Sequence, residues 1–78
     1  MQVEIYGIPG CKPCANSKQL CEDNNIEYRY FEVGKDVDHM QLNEKVGQPV
    51  RSVPQIFVDG GWVGGYDEFR QAVNSANS

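Results

Sequence analysis

Among the 78 residues, the side chains best suited to chemistry are two closely spaced cysteines, Cys11-Lys12-Pro13-Cys14. The thiolate form of cysteine is both the nucleophile and the metal ligand. Two residues between the sulfurs, on the first turn of a helix, let them close into a small ring. That placement also makes them unequal. The first cysteine falls at the helix N-terminus, where unpaired N–H groups and the helix dipole favour an anion. Such surroundings bring a cysteine pKa to about 3.5–7.5. Cys11 is therefore the expected attacking sulfur, with Lys12 adding a positive charge beside it. Cys14, one turn inside, is the expected resolving thiol, which attacks a mixed disulfide on Cys11 and releases the reduced product. Pro13 suits the first turn, where its missing N–H has no helical partner to lose.

Half of a zinc site is the competing reading of the pair. Structural zinc takes four ligands, commonly from two such pairs. Only Cys21 and the single histidine, His39, remain as further candidates, and their spacing matches no zinc pattern. A purely structural disulfide fits poorly with a reducing compartment. No metal is expected. Cys21 lies seven residues after Cys14, on the same helical face two turns along. Free cysteine behaves as a small hydrophobe, so core packing is preferred there over a regulatory thiol. His39 is expected on a solvated helix face.

A helix that starts at Cys11 needs elements to aim it, and the chain supplies them in a simple order. Val3-Glu4-Ile5-Tyr6 alternates apolar and polar residues and reads as a strand. Gly7 to Gly10, with Pro9, is a turn. Residues 13–24 lack glycine and read as a helix that ends at Asn24-Asn25. Residues 27–33 are rich in aromatic and β-branched types and form a second strand. Val37, Met40, Leu42 and Val46 predict a second helix over 37–46, closed by Gly47. Residues 54–58 form a third strand, Asp59-Gly60 is a hairpin turn, and Trp62-Val63 a short fourth strand. A last helix starts near Asp67, with Phe69, Ala72 and Val73 on one face. The tail from Asn74 is expected to fray.

The order β-α-β-α-β-β-α implies a parallel strand pair with a right-handed crossover, followed by an antiparallel hairpin. Tyr6, Tyr28, Tyr30, Phe31 and Phe57 are expected in the core, and Trp62 half-exposed on the hairpin. With 78 residues there is room for one domain, 1–78, and a chain of this size buries only about 60% of its unfolded surface. Hydrophobic residues at 40% and charged residues at 23% describe an ordinary globular chain. The net charge of −4 and pI near 4.7 argue against nucleic acid, because phosphate binding needs a basic face. No run approaches the roughly 20 apolar residues that span a bilayer. The N-terminus lacks the basic-then-apolar pattern of a signal peptide. A cytoplasmic location is expected, with no membrane partner.

Beyond the cysteine pair, the chain from Val3 to about Val73 resembles the glutaredoxin family. The resemblance is most specific at Ser52-Val53-Pro54-Gln55-Ile56-Phe57-Val58-Asp59, similar to the family's T-V-P-Q-I-F-V-D segment. Gly64-Gly65-Tyr66-Asp67 is similar to its G-G-x-[DS/T] segment, and Gly47-Gln48-Pro49-Val50 to bacterial dithiol members. The resemblance implies a thioredoxin-like α/β fold, a four-stranded mixed sheet flanked by three helices. It implies a cis peptide before Pro54 and glutathione as co-substrate. Val53 would then pair through its backbone with the cysteinyl part of glutathione, as an added strand does, with Ser52 and Pro54 beside it. Gly65 would let the chain pass close to the ligand. N–H groups at Tyr66-Asp67 would hold the γ-glutamyl carboxylate, and Asp67 its amino group. The alternative for Asp67 is a plain helix N-cap.

Two departures stand out. The family's usual C-P-Y-C is Cys-Lys-Pro-Cys here, with proline next to the second cysteine as in thioredoxins. Ile8 occupies the place, three residues before the first cysteine, where members commonly carry a cation for the glycine carboxylate. Lys12, Lys45 and Arg51 are the substitutes on offer, and Lys12, Pro13 and Arg51 are grouped with the glutathione contacts. The expected activity is dithiol–disulfide exchange by a monomer. Its clients would be ribonucleotide reductase and glutathionylated proteins. Two rival readings are a thioredoxin-like donor recycled by a flavin reductase and, less favoured, a cluster-binding protein that shares an iron–sulfur centre between two Cys11 thiolates.

Overall fold

Alternation along the first strand, β1 (Gln2–Gly7), gives each face of the sheet its own core. Val3 and Ile5 pack with Cys21, Ile56, Phe69 and Val73 on one face. Tyr6 packs with Leu42, Val50 and Phe57 on the other. The remaining elements of the computed structural model, which describes residues 1–76, follow in order. They are α1 (Lys12–Asp23), β2 (Glu27–Glu32), α2 (His39–Val46), β3 (Gln55–Val58), β4 (Gly61–Gly64) and α3 (Tyr66–Ala76).

The sheet runs β2-β1-β3-β4. β1 and β2 are parallel, with Val3 opposite Tyr28 and Tyr6 opposite Phe31. β3 is antiparallel to both β1 and β4. The crossover α1 and the last helix α3 lie together on the Ile5 face, and α2 covers the Tyr6 face. This is the β-α-β-α-β-β-α architecture expected from the sequence, a four-stranded mixed sheet flanked by three helices. Among the described residues no helix is long and apolar enough to cross a membrane.

Most element ends fall within a residue of expectation, and the start of α2 differs for a local reason. Val37 stays outside α2 and bridges Val33 instead. The helix starts after Asp38, whose carboxylate accepts the Gln41 N–H at 2.7 Å while the Gln41 side chain accepts the Asp38 N–H at 2.9 Å. This reciprocal capping box sets the start more strongly than the apolar spacing that drew Val37 into the helix. α3 begins at Tyr66, so Asp67 lies inside its first turn. The same helix continues through Asn74 to Ala76, where fraying was expected; Asn77 and Ser78 lie outside the described residues.

His39 is exposed on its helix, as expected, and its Nε2 also sits 2.9 Å from Val50 O. Tyr6 and Phe57 are buried and meet edge to face, whereas Tyr28, Tyr30 and Phe31 are only partly covered. Trp62 is 42% exposed on the hairpin.

Two close fits tie this core to the cysteine pair. On α1, Cys14, Ser17 and Cys21 form the buried face, so both inner sulfurs share one stripe. At the end of β1, a Cβ on Gly7 would stand 2.7 Å from Cys14 Sγ and 3.0 Å from Tyr30 Cζ. Only glycine fits. Gly7→Ala is expected to cost about 1–3 kcal/mol, the usual range for overpacking, as a lowered urea midpoint of the oxidised protein. An unchanged midpoint would contradict the close approach.

Cys21 is fully buried, and burial, with a smaller contribution from the Glu22 charge, pushes its thiol from 9.0 to about 11. A thiol whose folded pKa is raised contributes its full stability below the unfolded pKa, and that contribution falls as pH rises. Stability should therefore decline between about pH 9 and pH 11. The decline should be steeper in the native sequence than in Cys21→Ala by up to roughly 2–3 kcal/mol, at about 1.4 kcal/mol per pKa unit. Urea unfolding across that window measures it, and parallel slopes would contradict the burial argument.

Candidate functional site

The pair lies where β1 hands the chain to α1. Cys11 is the N-cap of α1, with extended backbone at φ −94° and ψ 112°. The Cys14 N–H points at Cys11 Sγ at 3.2 Å, and the Ala15 N–H donates to Cys11 O at 3.1 Å. A sulfur thus occupies the place where a capping oxygen usually satisfies a free N–H. No acidic residue stands in the first turn of α1, so no side-chain anion competes for the positive end of the helix. Lys12 and Pro13 fill the first two helical positions, both exposed.

Cys11 and Cys14 are joined by a disulfide, with their Cα atoms 5.2 Å apart. Their access differs sharply. Cys14 is 1% exposed, whereas Cys11 is partly open to solvent. A sulfur arriving from outside can reach Cys11, and Cys14 can be reached only from Cys11.

The opposite wall is the segment ahead of β3. The Val53–Pro54 peptide is cis. Val53 O lies 3.8 Å from Cys11 Sγ. Because Tyr6–Gln55 is the last pair of the β1–β3 ladder, Val53 lies past its end. Pro54 is buried, Val53 partly buried, and Arg51 and Ser52 exposed. Beside this segment runs an open cleft of about 480 Å³, whose lining includes Arg51, Ser52, Gln55, Trp62, Gly65 and Glu68.

The third wall is the start of α3. Gly64 holds φ +117°, and a Cβ there would meet Glu68 Oε1 at 3.0 Å. The Gly65 N–H donates to that carboxylate at 2.8 Å. Tyr66 is partly buried and opens the helix. Asp67 points outward, with a side chain 74% exposed and a long 3.9 Å contact to Arg70. The plain N-cap alternative for Asp67 is therefore corrected: the side chain that reaches back to cap α3 is Glu68. The Gly65-x-x-Glu68 spacing, half of a capping box, was the available signal.

Of the three candidate cations, Lys45 is already committed. Its Nζ lies 3.4 Å from Glu4 and rests over the rings of Tyr6 and Phe57. A hydrogen bond with Tyr6, reinforced by the Glu4 charge, raises its pKa. Arg51 lines the cleft, and Lys12 stands on the first turn beside Cys11. Ile8, 41% exposed, adds no charge. Cys21 sits in the apolar cluster and His39 against Val50 O, so neither completes a four-ligand set with the pair. Gln55 and Trp62, which the sequence reading placed only in a motif and a hairpin, turn out to border the cleft.

Comparison with known proteins agrees with this arrangement. The glutaredoxin family model matches residues 3–63. Glutaredoxin 1 of Escherichia coli strain K12 is 37% identical over 75 residues, covering 88% of each chain. Glutaredoxin of Haemophilus influenzae is 37% identical over 75 residues, covering 88% of this chain and 86% of that one. The solved structure of reduced E. coli glutaredoxin superposes with a TM-score of 0.83 at 36% identity, over 96% of this chain and 95% of that one. A buckwheat glutaredoxin solved in complex with glutathione shares the fold, with a TM-score of 0.78 at 23% identity over 95% of this chain and 69% of that one. With a buried sulfur and an accessible one joined at a helix start, on the thioredoxin-like frame these relatives share, the chain belongs to the glutaredoxin family and is a thiol–disulfide oxidoreductase.

Proposed function

We propose that this chain is a dithiol glutaredoxin that uses glutathione as its reductant. The observation that carries the reading is the accessible Cys11 sulfur at the cap of α1, 3.8 Å from the Val53 carbonyl. In the reduced protein the Cys11 thiolate attacks one sulfur of a client disulfide. A Cys11–client disulfide forms and the client's other sulfur leaves as a thiolate. Cys14 then gives up its proton and attacks Cys11 Sγ, which forms the Cys11–Cys14 disulfide and releases the second client thiol. Two electrons have passed to the client. One glutathione thiolate reopens the pair through a mixed disulfide at Cys11. A second takes off the first as glutathione disulfide and restores the dithiol.

The three walls around Cys11 divide the tripeptide among them. The Val53 backbone, flanked by Ser52 and Pro54, takes the cysteinyl unit as a short added strand. The start of α3 takes the γ-glutamyl end, the Tyr66 and Asp67 N–H groups facing the carboxylate and the Asp67 side chain the amino group, while Gly65 lets the chain pass close. With Lys45 held by Glu4, the glycine carboxylate falls to Arg51 or Lys12, and Pro13 borders the sulfur. We place the protein in the cytoplasm as a monomer, with ribonucleotide reductase and glutathionylated proteins as clients. A buckwheat glutaredoxin of the same fold has been solved with glutathione bound.

The alternative, a thioredoxin-like donor recycled by a flavin reductase, draws on the Lys12-Pro13 pair and the uncharged Ile8. Turnover with glutathione and glutathione reductase, set against turnover with thioredoxin reductase, separates the two. Efficient turnover with the flavin reductase alone would overturn our reading. In Cys11→Ser, activity on both protein disulfides and glutathione mixed disulfides is expected to fall to background. Cys14→Ser should lose the first activity and keep the second, because removal of glutathione needs only the outer sulfur. Activity retained by Cys11→Ser would reverse the assigned roles.

A further inference from the structure

The segment from Gly47 to Pro54, between α2 and β3, forms neither helix nor strand, so side chains must hold it. At its α2 end, Asn43 Oδ1 accepts the Val50 N–H at 2.9 Å and His39 Nε2 meets Val50 O at 2.9 Å. At its β3 end the tie is a relay through Gln55. Trp62 is 42% exposed, yet its one polar atom turns inward, and Nε1–H donates to Gln55 Oε1 at 2.8 Å. Gln55 is 6% exposed, and its Nε2 donates to Ser52 O at 3.0 Å, with Ser52 Oγ at 3.5 Å.

The order of this relay is fixed by chemistry. An indole can only donate a hydrogen bond, and an amide has one accepting side and one donating side. The Trp62 contact therefore turns the Gln55 oxygen towards β4 and its NH₂ towards Ser52. Were the amide reversed, two oxygens would face each other at Ser52 and two N–H donors at Trp62. Ser52 O belongs to the peptide that leads into Val53, beside the Cys11 sulfur.

We infer that Trp62 is a positioning residue for disulfide exchange, its indole N–H locking the Gln55 amide so that Gln55 holds the Ser52–Val53 backbone ready beside Cys11. The inference rests on the reading of that backbone as the edge on which a glutathione-bearing substrate lies. Without the indole N–H, a buried acceptor loses its partner and the amide loses its orientation. The segment then has to be ordered by the substrate as it binds, which weakens binding and leaves the sulfur chemistry alone.

The test compares the native sequence with Trp62→Phe, Trp62→His and Gln55→Glu. Trp62→Phe keeps an aromatic ring without its N–H, and Trp62→His restores a ring N–H. Gln55→Glu keeps the acceptor for the indole and loses the donor to Ser52. With a glutathionylated peptide as substrate, Trp62→Phe should lower kcat/KM about threefold to tenfold through KM, the equivalent of one neutral hydrogen bond. Gln55→Glu should fall at least as far, and Trp62→His should recover most of the loss. The rate at which iodoacetamide alkylates reduced Cys11 should stay unchanged in all of them. Equal losses in the Phe and His variants together with slowed alkylation would assign Trp62 to packing and overturn the inference, as would native kcat/KM in Trp62→Phe.

A second measurement needs no glutathione. Trypsin cleavage after the exposed Arg51 in the free protein should quicken severalfold in Trp62→Phe. Unchanged cleavage would also overturn the inference. Failure of the glutathione reading has a separate signature, a native protein that does not turn over the glutathionylated peptide at all.

Discussion

A sulfur in place of a capping oxygen is the contact on which the site depends. Cys11 Sγ faces the Cys14 N–H at 3.2 Å, at the positive end of a helix whose first turn holds no carboxylate. Hydrogen bonding and the helix dipole act in the same direction, lowering the energy of the thiolate relative to the thiol. The same geometry places the second sulfur one turn deeper, among the residues that pack α1 against the sheet. One local structure therefore leaves one cysteine accessible at a helix start, a place that favours an anion, and keeps the other covered.

The rest of the fold keeps that helix start in place. β1 ends at Gly7, where the absence of a side chain lets Cys14 and Tyr30 close over the strand. Ile5 and Phe69, both fully buried, join the strand to α3 through the core that also contains Cys21. The opposing wall has no such rigid support. Its Val53 carbonyl approaches the sulfur from a segment outside regular structure, held by Asn43 and His39 at one end and by Gln55 at the other. The site thus combines an accessible sulfur on a fixed element with a backbone edge held by side-chain ties.

Much of this was legible in the sequence because local chemistry determined it. The cysteine spacing, the glycine-free run after it and the alternation in residues 3–6 led to a helix start beside a strand end. The segments around Ser52–Asp59 and Gly64–Asp67 led to the glutaredoxin family and to a cis peptide at Pro54. What was missed depended on side chains reaching beyond their own element. The start of α2 was set by the Asp38–Gln41 capping box, not by apolar spacing. His39 found a backbone partner eleven residues away, and Lys45 was taken by Glu4 from another element. Glu68, not Asp67, turned back to cap α3 because its carboxylate reaches the Gly65 N–H from the third helical position. Such pairings depend on tertiary distance, which periodicity in the sequence does not encode.

The departures from the family pattern adjoin the cysteine pair without replacing either sulfur. Ile8 and the Lys12-Pro13 pair alter the charge and shape that a ligand meets, while the cap, the buried sulfur and the Val53 edge remain. The most direct test of the central claim is the pH dependence of Cys11 alkylation in the reduced protein. The account predicts half-maximal reactivity within about pH 3.5–7.5, the range of cysteines held at helix starts or beside cations. A midpoint near 8.5, that of an ordinary free thiol, would show that the capping N–H and the helix do not stabilise the thiolate.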